Sequence, residues 1–334
     1  MLNIYLSVTG FIVCTVAIIY SGTKLARYGE SIAELTGWGK VWVGLILIAS
    51  VTTLPELLTG ISSVVIIGEP DLAASAVFGS CIFNLLILSF VDTRIKKPLT
   101  SLIKPSHLFA GLGSIVLLTI SGLSILISDI TPTILWISPF TVLIIIIYLF
   151  VVYGIYLNEQ TTLGPPVSMN SNKTENRKAL QSVLKKYILN AVFVIIAAAF
   201  LPYFGENIAS QTGLGNTFFG TLFLAASTSL PEMVVSFAAL RMASYDLLVG
   251  NLLGSNIFNM FILALDDIFY TEGSLFSYIN KAHLETVIVA IIMTAVIGLG
   301  ILSKPTKKIW KLSFDTFIIL LLYFGLMTVL YIRR

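Results

Sequence analysis

Ten runs of apolar residues, each about as long as the ~20 residues that cross a bilayer as an α-helix, are distributed along this chain of 334 residues. Charged residues make up only 11% of the chain, whereas a soluble domain carries about 25%. We therefore predict an all-α integral membrane protein with ten transmembrane helices. The predicted spans are 2–21, 41–67, 72–90, 108–127, 134–157, 187–204, 218–240, 247–265, 284–302 and 313–332.

A hydrophilic segment divides the ten spans into two groups of five. It covers residues 158–186 and contains two adjacent prolines, several asparagines and five basic residues. The sequence therefore predicts a first five-helix repeat at 1–157, a linker at 158–186 and a second five-helix repeat at 187–334. Cys14 and Cys81 both lie in apolar runs, so we interpret them as reduced packing residues rather than a disulfide.

The basic residues predict an orientation, because loops on the cytoplasmic side of a membrane carry an excess of Lys and Arg. Seventeen of the 20 basic residues lie in the linker or in the loops after spans 1, 3, 7 and 9. Lys281 is the only basic residue in a loop on the other side, and Asp266 and Asp267 are interpreted as part of a solvated loop there. We therefore predict a multi-pass protein of the cell membrane with a cytoplasmic linker and both termini outside.

Residues 29–57 and 205–233 are two copies of one motif. Without a gap, 13 of the 29 aligned positions are identical. The copies contain ASVTTLPE and AASTSLPE, which end at Glu56 and Glu232. Because each half of the chain has an odd number of spans, the second copy is predicted to enter the membrane upside down relative to the first. Inverted repeats with discontinuous helices are typical of secondary transporters.

A proline and a glutamate interrupt each copy where the chain is otherwise apolar. Pro55 and Pro231 each remove a helix N–H, so we predict broken second and seventh helices whose freed carbonyls face protein, water or an ion. A carboxylate at the bilayer centre costs about 2.5–3.5 kcal/mol, and the predicted spans contain no Lys or Arg that could neutralise Glu56 or Glu232. A hard cation such as Ca²⁺ takes about 6–8 oxygen ligands. We therefore predict cation binding near the bilayer midplane, between the two repeats.

Polar stripes on the helices that follow add further oxygen atoms, because residues four apart share a helix face. The stripes are Ser80 and Asn84 in the first copy, and Asn251, Ser255 and Asn259 in the second. Gly79 and Gly254 precede the two serines, and we predict that both let neighbouring backbones approach closely. Such residues also pack membrane helices together without binding an ion, and the spacing alone leaves both interpretations open.

The two copies resemble the α-repeats of the sodium/calcium exchanger family, in the calcium/cation antiporter superfamily. The family pattern is G-T-S-x-P-E, followed further along by G-N-x-x-G-S-N-x-x-N. The resemblance covers all ten spans in topology, and it implies alternating access in which the first and sixth helices slide past a fixed core. The residues that match the family's ligands for Ca²⁺ and Na⁺ are Glu56, Glu232, Thr52, Thr53, Ser80, Asn84, Thr228, Ser229, Ser255, Asn259 and, through backbone carbonyls, Ala49 and Ala225.

The first copy departs from the family pattern at two amides. The G-N pair is Ser75-Ala76 here, and G-S-N ends in Cys81. These departures bear on ion selectivity and rate more than on ion binding. Asn259 stands where potassium-dependent relatives have an aspartate, which favours potassium-independent exchange.

Together these features predict a secondary active antiporter that exchanges Ca²⁺ for Na⁺ by alternating access. The same fold coupled to H⁺, or carrying another divalent cation, is the alternative, and a cation channel is a more distant one. The sequence has no H-E-x-x-H motif and no aspartate deep in a predicted span, so we expect no enzyme and no cofactor. The expected partners are the transported ions and the lipid bilayer. No nucleic acid partner is expected, and the oligomeric state is left open.

Overall fold

The computed structural model describes residues 3–163, 173–211, 228–308 and 311–332. These residues are helical nearly throughout, and one isolated β-bridge joins Ile134 and Ile137. The long helices are α1 (Ile4–Thr36), α2 (Lys40–Ile67), α3 (Pro70–Asp92), α4 (His107–Leu126), α5 (Pro139–Leu163), α6 (Lys173–Gln211), α7 (Leu230–Arg241), α8 (Tyr245–Phe269), α9 (His283–Ser303) and α10 (Phe314–Ile332).

Nine of the helices in the described part of the chain are long and apolar enough to cross a membrane. The exception is α7, because residues 218–227 of the seventh predicted span lie outside the described residues. The predicted all-α membrane fold class is confirmed. The repeat boundaries at 157 and 187 stay predictions.

Helices extend past the apolar runs that predicted them. Within the predicted linker, α5 continues to Leu163 and α6 begins at Lys173, while residues 164–172 lie outside the described part. The interpretation of Asp266 and Asp267 as a solvated loop is wrong. Both lie in the last turns of α8, and both are 0% exposed. Polar residues extend these helices because a helical turn needs backbone hydrogen bonds and not apolar side chains.

The second helix is interrupted near its proline. Between an α-helical start and Ala49, residues Val43–Ile48 form a π-helical segment, and Thr53 is a turn residue between two α-helical segments. At the equivalent place in the second repeat, Ser229 precedes α7 with φ −87° and ψ 11°, and Pro231 occupies its first turn. The predicted breaks therefore lie one turn or less before Pro55 and Pro231, where the ring removes a helix N–H.

The chain forms two compact units, each containing parts of both sequence repeats. Unit 1 consists of Met1–Pro55 and Gly154–Gly254, and unit 2 consists of Glu56–Tyr153 and Ser255–Arg334. The boundaries therefore cut α2 between Pro55 and Glu56, and α8 between Gly254 and Ser255. Each candidate ligand belongs to one unit or the other.

In unit 1, α1 packs along α6 and against α7. Ile18, Ala198 and Leu201 form the buried centre of this contact. Gly22 of α1 faces Val234 of α7, whose Cγ1 atom would lie 3.0 Å from an added Cβ. Small residues at these positions let the helices approach closely, which is how helices associate in a bilayer without a hydrophobic driving force.

Glycines also bring α8 into backbone contact with the π-helical segment of α2. A Cβ added at Gly44 would overlap the carbonyl oxygen of Leu247, and one at Gly254 would overlap the backbone of Leu45. Gly250, one turn before Gly254, faces the carbonyl of Val41 in the same way. The prediction of close approach at Gly254 is thus confirmed. For Gly79 no described atom lies within 4 Å of an added Cβ, and the residues equivalent to the Leu45 segment lie outside the described part, so the same prediction for Gly79 stays a prediction.

In unit 2, α9 is the central helix, and it packs against α3, α4 and α10. Gly122 of α4 faces Val287 of α9, and Gly300 of α9 faces Thr100 and Asp315. Leu117, Leu118 and Met293 are fully buried in this unit. The packing holds α3, which carries Ser80 and Asn84, in a fixed position.

Candidate cation-binding site

In unit 1, the carboxylate of Glu232 lies against the interrupted part of α2. Glu232 is 0% exposed, and its Oε1 atom lies 3.2 Å from the hydroxyl oxygen of Thr53. The same hydroxyl lies 2.7 Å from the backbone carbonyl of Ala49. Thr52, on the same turn, places its hydroxyl 3.2 Å from that carbonyl. We call Ala49, Thr52, Thr53, Glu232 and Asn251 the Glu232 cluster.

The Thr53 hydroxyl has two oxygen acceptors and only one hydrogen. It can donate to the Ala49 carbonyl or to the Glu232 carboxylate, but not to both at once. A hydroxyl oxygen also has lone pairs that can bind a cation. The arrangement therefore places a carbonyl oxygen and a carboxylate oxygen within hydrogen-bond distance of one hydroxyl group, and hard cations take this mixture of ligands.

Asn251 on α8 connects the two elements of the Glu232 cluster. Its Nδ2 atom donates to the backbone carbonyl of Glu232 at 3.4 Å and to the hydroxyl of Ser236 at 3.2 Å. Its Oδ1 atom accepts from the hydroxyl of Thr52 at 3.3 Å. The sequence placed Asn251 on a polar stripe but not among the ligands, and its G-N motif was the signal that could have assigned it. Asn251 therefore orients both Thr52 and the glutamate helix.

In unit 2, Glu56 lies against α3. Glu56 is 1% exposed, and the hydroxyl of Ser80 donates to its Oε1 atom at 3.2 Å. Asn84, one turn further along α3, is also 1% exposed. The predicted stripe of Ser80 and Asn84 thus faces the protein interior, as its spacing indicated. We call Glu56, Ser80, Asn84, Asn256 and Asn259 the Glu56 cluster.

The amides of the Glu56 cluster bind one another across the two repeats. Asn84 Nδ2 donates to Asn256 Oδ1 at 3.0 Å, and Asn256 Nδ2 donates to the carbonyl of Cys81 at 3.2 Å. Asn259 Nδ2 lies 3.7 Å from the sulfur of Cys81. Cys81 and Asn256 occupy equivalent positions in the two copies of the motif. Cys81, which departs from the family pattern, therefore contacts the asparagine that keeps to it.

Two amide oxygens of the Glu56 cluster take no part in this network. Asn84 Oδ1 and Asn259 Oδ1 are buried and have no hydrogen-bond partner among the described residues. A buried carbonyl oxygen without a donor costs about 1–3 kcal/mol. Both amides were predicted ligands, and an amide oxygen is one of the groups that bind hard cations.

The other predicted ligands are buried where they are described. Thr228 and Ser229 in unit 1 are 3% and 0% exposed, and Ser255 in unit 2 is 0% exposed. Ala225 lies outside the described residues. In the described part of the chain, no group of three or more His, Cys, Asp or Glu residues could hold a metal ion. Within each cluster, the described residues offer one carboxylate together with hydroxyl, amide or carbonyl oxygens.

Helices long enough to span a membrane, a duplicated Pro-Glu motif and buried oxygen clusters define a multi-pass membrane protein of the transporter class. The family described as sodium/calcium exchanger protein matches residues 6–161 and 187–293. The chain therefore belongs to the sodium/calcium exchanger family, as its motifs predicted.

Individual proteins are also similar to this chain. The sodium/calcium exchanger MaX1 of Methanosarcina acetivorans is 37% identical over 94 residues, which are 27% of each chain. The inner membrane protein YrbG of Escherichia coli K12 is 24% identical over 263 residues, 75% of this chain and 76% of its own. A solved structure of the sodium–calcium exchanger NCX_Mj matches with a TM-score of 0.77 at 20% identity, over 98% of this chain and 99% of its own. At this identity, the structural similarity shows a shared fold.

Proposed function

We propose that this protein is a secondary active antiporter that exchanges Ca²⁺ for Na⁺ by alternating access. The observation that carries the proposal is the burial of Glu56 and Glu232, which are 1% and 0% exposed. Each carboxylate lies 3.2 Å from a neutral hydroxyl group. A buried carboxylate in an apolar environment needs a compensating charge. The predicted spans offer no Lys or Arg for this purpose, so a transported cation is the natural counter-charge.

The ligand chemistry favours Ca²⁺ and Na⁺ over softer metals. Carboxylate, hydroxyl, amide and carbonyl oxygens suit hard cations, whereas His and Cys suit transition metals. We propose that all twelve predicted residues, including Ala225, contribute ligands, and that Asn251 and Asn256 position them. Asn259 is neutral, which supports exchange without K⁺.

Alternating access is proposed to use α1 and α6 as the moving pair. The contact between α1 and α6 contains Ala17, Ala197 and Ala198, whose small side chains present little obstacle to sliding. A helix pair with a smooth interface can shift while the ligand-bearing helices stay packed.

The distribution of basic residues supports an orientation with a cytoplasmic linker and both termini outside. Seventeen of the 20 Lys and Arg residues lie on the linker side of the predicted topology. Cysteine-accessibility labelling in whole cells tests this proposal, with single cysteines introduced at Lys178 and at exposed Asp129. Labelling by an impermeant maleimide is expected at position 129 only.

Coupling to H⁺ is the second candidate, and one observation favours it. Asp266 on α8 is 0% exposed, and neither of its carboxyl oxygens has a hydrogen-bond partner among the described residues. A carboxyl group in such a position is stable only when a proton or cation neutralises it. A protonated Asp266 would give an antiporter a proton to exchange.

Ion uptake into proteoliposomes tests the proposal. Vesicles loaded with Na⁺ are expected to take up ⁴⁵Ca²⁺, and a pH gradient in Na⁺-free buffer is expected to drive none. Glu56→Gln and Glu232→Gln should each abolish uptake, whereas Glu69→Gln, the same change at an exposed position, should preserve it. If only the pH gradient drives uptake, the coupling ion is H⁺ and not Na⁺. Single-channel currents would contradict a carrier altogether.

A further inference from the structure

A buried polar cluster lies where α3 ends, apart from the Glu56 cluster on the same helix. Asp92, the last residue of α3, is 2% exposed. Its Oδ1 atom accepts from the backbone N–H of Leu99 at 2.7 Å. Its Oδ2 atom accepts from the hydroxyls of Ser313 and Thr316 at 2.9 and 2.8 Å. Asp92 therefore fastens the loop after α3 to the start of α10.

Lys308 supplies the positive charge in this cluster. Its Nζ atom lies 2.9 Å from Asp92 Oδ2, and the side chains of the two residues are 4% and 3% exposed. The same ammonium group also donates to the backbone carbonyls of Asp92 and Ile95. One full positive charge therefore compensates one carboxylate, and both are removed from solvent.

A second carboxylate, Asp315, lies in the first turn of α10. It is 8% exposed, and its Oδ2 atom accepts from the hydroxyl of Thr100 at 2.8 Å. Its Oδ1 atom is buried and has no hydrogen-bond partner among the described residues. A Cβ added at Gly300 of α9 would lie 2.8 Å from Asp315 Oδ2. The backbone of α9 therefore packs tightly against one side of this carboxylate.

The carboxylates of this cluster line a small cavity. Its volume is about 10 Å³, close to the ~10–15 Å³ that one water molecule requires. The polar residues that line it are Ser89, Asp92, Thr100, Asp315 and Thr316. The cavity therefore has room for one small species and several oxygen atoms to hold it.

The charges of the cluster do not balance. Two carboxylates and one ammonium group leave one negative charge. The N-terminus of α10 contributes only about half a positive charge through its dipole, and it gives Asp315 Oδ1 no donor in the described structure. A water molecule would supply a hydrogen bond but no charge, and a divalent cation would leave the cluster positive. One monovalent cation restores neutrality.

We propose that this cavity binds one alkali-metal cation, with Asp315 as its charged ligand and the hydroxyls around the cavity as neutral ligands. The site is distinct from the Glu56 and Glu232 clusters, and it does not rest on the proposed exchange activity. Its effect is to hold α10 and the loop after α3 against α9. Unit 2 is therefore more stable when Na⁺ or K⁺ is present.

The stability of the purified protein tests this site without a transport assay. Glu56→Gln and Glu232→Gln are combined, so that cation binding to the two transport clusters is disabled. The Tm of this double variant is measured in NaCl, KCl and choline chloride at equal ionic strength. We expect Tm to be several degrees higher with Na⁺ or K⁺ than with choline, and the comparison of the two salts identifies the preferred ion.

Adding Asp315→Asn to the double variant should remove the dependence on the alkali cation, because the amide still accepts from Thr100 but carries no charge. Asp129→Asn, a charge removal at an exposed position of the same unit, should leave the dependence unchanged. If Asp315→Asn does not fold, Thr100→Val should raise the half-saturating cation concentration at least tenfold. Equilibrium binding of ²²Na⁺ or ⁸⁶Rb⁺ to the double variant should give one ion per chain.

Three outcomes would overturn the proposal. The first is a Tm that is the same in choline and in both alkali salts. The second is a cation effect that persists in full in Asp315→Asn. The third is a Tm in choline that rises on acidification to the value in Na⁺, which would show that a proton neutralises Asp315 in place of a metal ion.

Discussion

The hydroxyl of Thr53 lies 3.2 Å from the carboxylate of Glu232, so a side chain of the first sequence repeat contacts the acidic residue of the second. The network of Asn84, Asn256 and Cys81 in unit 2 mixes the repeats in the same way. Each cluster of candidate ligands thus requires both copies of the motif. Neither copy alone would provide the oxygen atoms, which gives a physical reason for the duplication.

Removing the hydroxyl of Thr53 is expected to weaken cation binding without disturbing the fold. Thr53→Val keeps the shape of the side chain but deletes one oxygen from the Glu232 cluster. We expect the KM for Ca²⁺ uptake to rise about tenfold, equivalent to ~1.4 kcal/mol of binding energy. The measurement is ⁴⁵Ca²⁺ uptake over a range of concentrations. Thr119→Val, the same change at an exposed position of α4, should leave KM unchanged, and an equal effect of the two would argue against a role for Thr53.

Gly254 and Gly298 should respond in opposite ways to the same substitution, although both lie inside helices. Gly254→Ala forces a methyl group into the backbone of Leu45, and overpacking of this kind costs about 1–3 kcal/mol. A methyl group at Gly298 would lie 3.8 Å from Leu108 Cδ2, an ordinary van der Waals distance, and Gly298→Ala adds helix propensity of about 0.8–1 kcal/mol. In thermal unfolding in detergent, we expect Tm to fall for Gly254→Ala and to hold or rise for Gly298→Ala. Equal changes in Tm would contradict the close contact of α2 with α8.

The substitutions Asp266→Asn and Asp267→Asn should have different effects on Tm. Asp266→Asn removes a charge that has no partner in the described structure, so Tm should be at least that of the unmodified protein. Asp267 accepts from the backbone N–H groups of Ser138 and Leu275 at 2.9 and 2.7 Å and from the hydroxyl of Thr141. Hydrogen bonds to a charged group contribute about 1.5–3 kcal/mol each, so Asp267→Asn should lower Tm. A fall in Tm for Asp266→Asn would reveal a partner for its carboxyl group.

The same Asp266→Asn variant separates the two coupling ions. If Na⁺ drives exchange, the variant should retain Na⁺-driven ⁴⁵Ca²⁺ uptake, because Asp266 is not among the proposed ligands. If H⁺ drives exchange through Asp266, uptake driven by a pH gradient should be present before the substitution and lost after it. Uptake driven by H⁺ that survives the substitution would exclude Asp266 as the proton carrier.

Two lysine–aspartate pairs allow a comparison of buried and exposed ion pairs in one unit. Lys308→Met leaves Asp92 buried without its cation, and breaking such a pair costs about 3–5 kcal/mol. Lys281 and Asp129 form a pair whose side chains are 54% and 66% exposed, and exposed pairs contribute about 0–1 kcal/mol. Thermal unfolding should therefore show a large fall in Tm for Lys308→Met and almost none for Lys281→Met. Comparable shifts in Tm would mean that water reaches the pair of Lys308 and Asp92.

The sequence was sufficient for the features that depend on local physical chemistry. A run of apolar residues of membrane-spanning length can satisfy its backbone in lipid only as a helix, so nine described spans follow from composition and length alone. Pro55 and Pro231 break their helices through a ring that acts on the preceding turn. Glu56 and Glu232 were recognisable as site residues because an acidic group in an apolar run is costly wherever the run packs.

Tertiary structure decided the rest, because burial and hydrogen bonding depend on neighbours that are distant in sequence. Asp267 can be buried because Ser138 and Thr141, which lie far from it in the sequence, donate to its carboxylate together with Leu275. Gly254 lies against the backbone of α2, a contact that its motif alone does not reveal. Asn251 joins the Glu232 cluster only because α8 crosses α2 there. A sequence motif specifies which atoms a residue offers, and the packing of other helices determines which of those atoms find a partner.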